Sequence, residues 1–444
     1  MKSTATSLFV VFLALLLSAP VFSQENNNDY ITIEGSVRDK DSRRKLEFVH
    51  VTVPGTSIGT ITNNDGEFML KLKKTDNVNK IMFSHIGYKN MPFTVDTVNM
   101  ADIDIYLTPA SKNLSEVIIR GGDARFIVEE ALQLVSKNYA QISTLQTGFY
   151  RETAQKRRRY INISEAVINT YKTAYSNNNT LRDRVQVLKG RKLLSPKTSD
   201  TLAVKLLGGP TLPVFLDIVK NPDLLLDPEI LPYYRFDIKE IAWLNERPHF
   251  VVAFRPQVEL PFALYKGLLY IDQEKMSFSR AEFSLDMEDM LKATQAILHK
   301  KPFGLRFKPV EVSFLVTYQE NNGFLHLNYV RNVIRFKCDW KHRLFSTTYT
   351  IVSEMVATDN SVANEGISYK DSFKKSHSLS DEVDNFEDED FWGDYNIIEP
   401  TESLENAVEK LRKLNLKNLE KLRIFIRKQF VFLSEQISFS SVCN

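Results

Sequence analysis

Cysteine is almost absent from this chain, whose 444 residues include only Cys338 and Cys443. Small exported domains without a large core depend on several disulfides, and this sequence cannot supply them. We therefore predict two free, largely buried thiols. Since no cysteine lies near the N-terminus, we also expect that the protein is not a lipoprotein.

An excess of charge of one sign is also missing, because 57 Lys and Arg residues balance 55 Asp and Glu residues. Such a chain has no overall field that attracts nucleic acid or an anionic surface. We expect no nucleic-acid partner, and any partner must be recognised locally. Glycine is scarce beside 29 Phe and 17 Tyr, a composition that favours strands over helices.

Common catalytic motifs are missing as well. Zinc sites usually show closely spaced histidines, whereas these are dispersed at positions 50, 85, 249, 299, 326, 342 and 377. No Gly-x-Ser-x-Gly sequence is present, and residues 55–60 lack the spacing and the lysine of a phosphate loop. We predict no catalytic residue, no metal and no cofactor. A hydrolase with dispersed catalytic residues stays open as an alternative.

The first 23 residues have the pattern of a secretory signal. Lys2 precedes an apolar run over residues 8–17, and Pro20 and Ser23 suit a signal peptidase that cuts after Ser23. The run is too short to cross a bilayer as a helix. We predict that residues 1–23 are a cleavable signal peptide. The remaining chain is then exported and lies in the periplasm or in association with the outer membrane.

Residues 29–109 form short runs separated by turn residues, which is typical of an antiparallel sandwich. Two runs carry apolar residues at every second position: Val49, Val51 and Val53 in one, and Phe68, Leu70 and Leu72 in the other. Between them, the sequence Asn-Asn-Asp-Gly at residues 63–66 suits a tight hairpin turn.

This segment resembles the carboxypeptidase regulatory-like domain, a transthyretin-like sandwich of seven strands. The resemblance rests on "IEGSVRDKDSRRKLEFVHVTVPGTSIGTITNNDGEFMLKL" and "MFSHIGYKN", and on Gly35, Val37, Asp39, Leu46, Val51, Gly55, Gly59, Thr60, Asp65, Gly66, Phe68, Gly87 and Tyr88. It implies a non-catalytic module that stands at the front of many Gram-negative envelope proteins, including TonB-dependent receptors. The ligand pattern of the metallocarboxypeptidases is absent, so the resemblance implies no peptidase activity.

Residues 110–140 are predicted to be a linker followed by a connector helix. The sequence "NLSEVIIRGG" at residues 113–122 resembles the segment that joins the module to the plug in such receptors. The 322 residues that follow are too few for both a plug and a barrel of some twenty strands. Instead, Asp123 can cap a helix whose apolar residues have helical spacing.

Residues 141–378 contain longer runs that are apolar on both faces, which predicts a curved antiparallel sheet covered on both sides. Residues 202–225 are the candidate covering insert. The hairpin at residues 265–285 resembles lipoprotein carriers of the LolA and LolB type, whose half-barrel holds acyl chains. The whole chain resembles a group of envelope proteins that share "GFYRE", "EAV", "GRK" and "FWGDYNIIEP"; this resemblance implies an architecture and no activity.

Two further segments follow the sheet. Residues 379–400 carry many carboxylates and are predicted to be an acidic linker that docks through its aromatic residues. Residues 401–436 are predicted to be a basic amphipathic helix. Such a helix can pack on its own domain or make peripheral contact with an anionic membrane.

The sequence thus predicts a mostly β protein: an N-terminal transthyretin-like sandwich, a larger antiparallel curved-sheet α+β domain and a C-terminal helix. The functional hypothesis is a non-enzymatic envelope protein that binds a lipid or another apolar or extended ligand, with the sandwich as a docking module. The main alternative is an assembly factor that engages an outer-membrane partner resembling a TonB-dependent receptor. The candidate ligand contacts are Tyr88, Phe250, Phe254, Leu268 and Tyr270.

Overall fold

The computed structural model confirms the mostly β fold class. It describes residues 29–110, 124–177, 180–200, 204–206, 208–340, 346–375, 377–385 and 391–440. The predicted signal peptide, the segment at residues 113–122 and Cys443 lie outside the described residues. Cys338 is a free thiol and is buried, as predicted.

The N-terminal domain is a sandwich of two sheets. Its strands are β1 (Tyr30–Asp39), β2 (His50–Thr52), β3 (Gly59–Ile61), β4 (Glu67–Lys73), β5 (Lys80–Ser84), β6 (Met91–Thr94) and β7 (Met100–Leu107). One sheet has the order β4-β1-β7, with β1 and β7 parallel, and the other has the order β3-β2-β5-β6.

Alternating apolar residues build the core of the sandwich. Ile33, Leu70 and Phe83 are fully buried between the two sheets. The hairpin before β4 closes because the Asn63 side chain accepts hydrogen bonds from the backbone of Asp65 and Glu67. Gly66 completes the turn at φ 71°, which glycine adopts without steric cost.

The second domain is one large sheet. Its strands are β8 (Thr144–Lys156), β9 (Arg159–Lys172), β10 (Arg184–Leu194), β12 (Tyr234–Leu244), β13 (Arg247–Pro256), β14 (Tyr265–Asp272), β15 (Ser277–Leu285), β17 (Leu305–Asn321), β18 (Phe324–Trp340), β19 (Thr347–Val362) and β20 (Asp384–Asn385). They lie in the order β12-β13-β14-β15-β17-β18-β19-β8-β9-β10-β20. Neighbouring strands are antiparallel except β10 and β20. A separate pair is formed by β11 (Lys205–Leu206) and β16 (Leu298–Lys300).

One face of the large sheet is covered by helices and by the insert of residues 204–231. The α-helices on this face are α1 (Ala124–Gln133), α2 (Val135–Asn138), α3 (Leu212–Leu216) and α4 (Met290–Ile297). Short 3₁₀ helices occur in the sandwich at Lys74–Asp76 and in the second domain at Thr198–Asp200, Pro222–Leu224 and Leu231–Tyr233. The side chains of Leu216 and Ile218 are fully buried against the sheet, so this face is the core of the domain.

The opposite face of the sheet contacts the sandwich and the C-terminal part of the chain. Ile61 of the sandwich packs with Phe149, Tyr329 and Trp392. After α5 (Leu379–Glu382) and β20, the 391–400 segment lies between the sandwich and the sheet. The last element that the structure describes is α6 (Glu402–Ser440), whose first turns pack on β9 and β10.

The described helices contain no segment that is long and apolar enough to cross a membrane. The domain boundaries stay a prediction.

Candidate functional site

A cleft separates the sandwich from the face of the large sheet on which it docks. It consists of two adjoining cavities of about 430 Å³ and about 680 Å³. Phe48, His85 and Arg280 line both cavities. The first cavity extends to the hairpin at residues 317–323, and the second extends over β15, β17 and β18. The cleft is therefore long, with one wall from each domain.

Two contacts beside the smaller cavity join the sandwich to the large sheet. The backbone N–H of Gly87 donates to the carbonyl oxygen of Trp243 on β12 at 2.7 Å. The Ser57 hydroxyl donates to a carboxylate oxygen of Asp359 on β19 at 2.7 Å. These hydrogen bonds fix the position of the sandwich on the sheet.

The 391–400 segment holds the sandwich from a third side. The Thr60 hydroxyl donates to the carbonyl oxygen of Ile397 at 2.8 Å, and the Asn63 amide donates to that of Glu399 at 3.2 Å. Arg151 on the sheet donates to the carbonyl oxygen of Ile398 at 2.8 Å. This segment therefore bonds to both the sandwich and the large sheet.

Positive charge predominates in the larger cavity. Five cationic residues line it against two acidic ones: Arg44, Lys45, Lys266, Arg280 and Arg331, with Glu47 and Glu282. Most of these cations have a carboxylate partner, such as Glu282 for Arg280 at 2.7 Å and Asp286 for Lys266 at 3.1 Å.

In the described part of the chain, no carboxylate lies within ion-pair distance of Arg331. Its guanidinium carbon lies 5.4 Å from the ring centroid of Phe48, a cation–π contact. The Nε atom is buried without a hydrogen-bond partner, and no ion pair of Arg331 occurs within the described residues. Arg44 also lines the larger cavity without an ion pair among the described residues, but it is exposed to solvent, whereas Arg331 is half-buried. Arg331 is therefore the cation in the cleft that is best placed to receive an anion.

The histidines of the cleft do not add to this charge. Burial, with a further contribution from Arg280, lowers the pKa of His50 to about 3 and that of His85 to about 4. Both rings are neutral near pH 7, and Asn328 donates a hydrogen bond to Nδ1 of His50 at 2.6 Å. The positive charge of the cleft therefore comes from guanidinium and ammonium groups alone.

The structure does not bring the five predicted ligand contacts together. Phe250 and Phe254 face the core beneath the insert, and Phe254 packs on Tyr234. Leu268 and Tyr270 alternate with the core residues of β14 and so lie on the other face.

Tyr270 donates a hydrogen bond to Glu282 at 3.2 Å, beside the cleft. Tyr88 lies in the sandwich, where its hydroxyl donates to Asp39 at 2.8 Å. The ligand-binding role of the five residues stays a prediction.

Sequence reasoning missed one polar cluster that lies at the edge of the smaller cavity. Nε2 of His249 lies 2.9 Å from the Ser279 hydroxyl, and Nδ1 lies 3.0 Å from the carbonyl oxygen of Arg247. These residues are on β13 and β15, and β14 lies between them. Only the register of the sheet brings them together, so no sequence spacing could reveal them.

The cluster lacks the carboxylate of a catalytic triad. Asp272 lies 3.9 Å from Nε2 of His249 and pairs with Arg247 at 2.8 Å instead. Burial lowers the pKa of His249, which makes the ring a weaker base. No group of three or more His, Cys, Asp or Glu residues that could hold a metal ion occurs in the described part of the chain.

The sequence of the sandwich matches a known protein family over residues 33–119. These residues form a CarboxypepD_reg-like domain. The resemblance predicted from the sequence is confirmed for this part of the chain. The CarboxypepD_reg-like domain contributes Phe48, His50 and His85 to the cleft.

A curated relative shares part of the chain. The TonB-dependent receptor SusC of Bacteroides thetaiotaomicron is 32% identical over 114 residues, which are 26% of this chain and 10% of the receptor. The chain thus matches about a tenth of the length of that receptor. This likeness agrees with an envelope protein, and it does not extend to the receptor as a whole.

Two solved structures align with 55% of this chain. One is a domain described as an outer membrane lipoprotein-sorting protein domain from Vibrio parahaemolyticus, with 96% of its chain covered, 10% identity and a TM-score of 0.24. The other is the MucA/MucB complex of Pseudomonas aeruginosa, with 100% of the aligned chain covered, 13% identity and a TM-score of 0.18. These TM-scores are too low to establish a common fold with the sheet beside the CarboxypepD_reg-like domain.

Proposed function

We propose that this protein is a non-enzymatic binding protein of the cell envelope, and that it holds an extended, acidic ligand in the cleft. The single observation that carries the proposal is Arg331, which has no ion pair among the described residues and lines a cavity with more cations than acids. The CarboxypepD_reg-like domain supplies one wall and so acts as the docking module.

An extended ligand suits the shape of the cleft. The two cavities adjoin at Phe48, His85 and Arg280. Each cavity is lined by residues of both the sandwich and the large sheet. A chain that follows both cavities can present an acidic group to Arg331 and still contact residues 50–56 of the sandwich. Its polar backbone would match the mixed lining of the cleft.

The lipid part of the sequence hypothesis gains no support from the structure. A half-barrel that carries acyl chains needs space on its apolar face, whereas here the insert fills that face. Leu216, Ile218 and Leu225 are buried there at 1% exposure or less. The ligand is therefore assigned to the polar side of the sheet.

Replacing Arg331 by glutamate is expected to reduce ligand occupancy by at least about tenfold, because it puts a negative charge where an anion binds. A photo-crosslinking amino acid at Ser313, which lines the larger cavity, would capture the ligand in intact envelopes. Mass spectrometry would then compare the yield of the adduct in both proteins.

Arg335→Glu is the matched control on the same strand. Arg335 pairs with Glu311 at 3.2 Å and lines neither cavity, so the adduct yield should equal that of the wild type. No adduct in the wild type, or an equal yield in Arg331→Glu, contradicts the proposal.

The assembly alternative is supported by the likeness to SusC and makes a different prediction for the same experiment. If the protein engages a membrane partner through the cleft, the adduct at Ser313 is a membrane protein. A peptide or small polymer as the adduct supports a carrier of an extended ligand instead.

We expect no covalent labelling of Ser279 by a fluorophosphonate, a reagent that reacts with activated serine nucleophiles. The reason is that His249 is a weakened base without a carboxylate at Nδ1. A serine protease labelled in parallel is the positive control. Labelling that disappears in both Ser279→Ala and His249→Ala would favour the hydrolase alternative and contradict the non-enzymatic proposal.

A further inference from the structure

The C-terminal helix α6 packs on the body of the protein only in its first turns. Leu404 and Leu411 are buried against Ile163 of β9 and Leu193 of β10. The Asn415 amide then donates to the carbonyl oxygen of Leu194, the last residue of β10, at 3.0 Å. After Asn415 the described side chains are exposed.

The apolar stripe of α6 continues beyond this last contact. With 3.6 residues per turn, positions 404, 408, 411, 415, 419, 422 and 426 lie on one side of the helix. The side chains of this continuation are largely exposed: Leu419 at 55%, Leu422 at 54% and Ile426 at 45%. The face that is buried in the first turns is therefore uncovered in the following turns.

The charges of this part of the helix are almost all positive. Between positions 410 and 426 there are six basic residues and one acidic residue: Lys410, Arg412, Lys413, Lys417, Lys421 and Arg423, with Glu420. Helical spacing places the basic residues on the flanks and the back of the apolar stripe. An exposed apolar stripe with a basic surround is the pattern of a helix that lies in a membrane interface.

We propose that α6, from Asn415 onwards, lies on the surface of an anionic phospholipid bilayer with Leu419, Leu422 and Ile426 in the interface. The basic residues then contact the lipid phosphates. This contact is independent of the ligand in the cleft, and it would hold the protein at a membrane.

The charge pattern argues against a second copy of the chain as the occupant of the stripe. Pairing two such helices would bring the basic flanks of both copies together, with only Glu420 in each to offset them. Like charges at such close range disfavour pairing. An anionic surface removes this repulsion.

The test is flotation of the full chain with vesicles of phosphatidylcholine alone and of phosphatidylcholine mixed with phosphatidylglycerol. We expect the wild type to float with the anionic vesicles, to stay unbound with the neutral ones, and to be released by added salt. Leu422→Asp should reduce the bound fraction by at least about fivefold, because it places a charge in the apolar stripe.

Leu416→Asp is the matched control, since Leu416 is equally exposed, at 62%, but lies off the stripe. It should bind like the wild type, and circular dichroism should show the same folded content for both variants. Arg331→Glu should also bind vesicles normally, which separates this proposal from the function of the cleft. The proposal is overturned if Leu422→Asp binds the anionic vesicles as well as the wild type does, or if the wild type binds neutral and anionic vesicles equally. It is also overturned if the wild type is a dimer that Leu422→Asp dissociates, because a second copy would then cover the stripe.

Discussion

Asp217→Ala is expected to lower the free energy of unfolding by about 3–5 kcal/mol, because it leaves a buried ammonium group without its counter-ion. Asp217 is completely buried and pairs with Lys172, whose side chain is 3% exposed. It also accepts hydrogen bonds from the hydroxyls of Tyr175 at 2.7 Å and Tyr318 at 2.8 Å. The substitution thus removes the partner of three buried groups at once.

The position of Asp217 in the fold increases the effect. It follows α3 in the insert, whereas Lys172 and Tyr318 belong to β9 and β17 of the large sheet. Burial raises the pKa of Tyr318 well above its ordinary value, so the hydroxyl stays protonated. In Asp217→Ala it is therefore a buried donor that has lost its acceptor. We expect the insert to detach locally before the sheet unfolds.

Urea unfolding followed by circular dichroism measures the loss, and amide exchange in residues 204–231 locates it. Asp286→Ala is the control, since Asp286 pairs with the half-exposed Lys266 at 3.1 Å and should contribute about 1 kcal/mol or less. If Asp217→Ala were no more destabilising than Asp286→Ala, the buried pair would have no structural role.

The sandwich could be predicted from the sequence because its signals are local. Val49, Val51 and Val53 repeat at the period of a strand, and they are buried in the structure. The turn at residues 63–66 needs only its own side chains to close. Short-range patterns of this kind require no knowledge of distant residues.

The cleft could not be predicted, because its walls are distant in sequence. Phe48 and Arg331 are in contact, although they belong to different domains. Runs that are apolar on both faces predict that both sides of a sheet are covered. They do not indicate which side the insert covers and which side contacts the sandwich. For that reason the predicted contacts Phe254 and Leu268 lie on opposite faces.

The segment predicted to be an acidic linker shows the limit of a charge pattern. A high density of carboxylates indicates a solvated chain, and the aromatic residues indicate that it docks; Trp392 and Ile398 are indeed buried, at 5% and 1% exposure. Their partners, including Phe149 and Ile61, come from both domains. The pattern of charge could not reveal these partners, and it therefore missed the contact between sandwich and sheet.

The second large effect is expected where the 391–400 segment joins the sandwich to the large sheet. Glu165→Gln should lower the free energy of unfolding by about 3–5 kcal/mol. Glu165 is buried between Nε of Arg151 at 2.7 Å and Nε of Arg191 at 3.0 Å. Although burial by itself raises the pKa of Glu165, the two guanidinium groups lower it below its usual value. The carboxylate is thus ionised, and its loss removes the counter-ion that Arg151 and Arg191 share, with Glu354 at 3.6 Å as the second carboxylate beside Arg151.

Glu165→Gln should also weaken the attachment of the sandwich to the large sheet. Arg151 bonds to the carbonyl oxygen of Ile398, and the guanidinium of Arg191 lies 4.8 Å from the ring centroid of Trp392. Both arginines thereby hold the 391–400 segment, which in turn bonds to Thr60 of the sandwich. We expect amide exchange to accelerate in this segment and in β3 more than beneath the insert.

Glu409→Gln provides the control for an ion pair in water, because Glu409 and Lys413 are exposed on α6 and should contribute at most about 0.5 kcal/mol. The double variant Glu165→Gln with Arg191→Met removes one of the two cations that Glu165 neutralises and should recover part of the loss. Recovery would show that the excess of positive charge causes the destabilisation rather than altered packing. A double variant less stable than Glu165→Gln, or exchange that rises equally across both domains, would contradict a role of this network in joining the sandwich to the sheet.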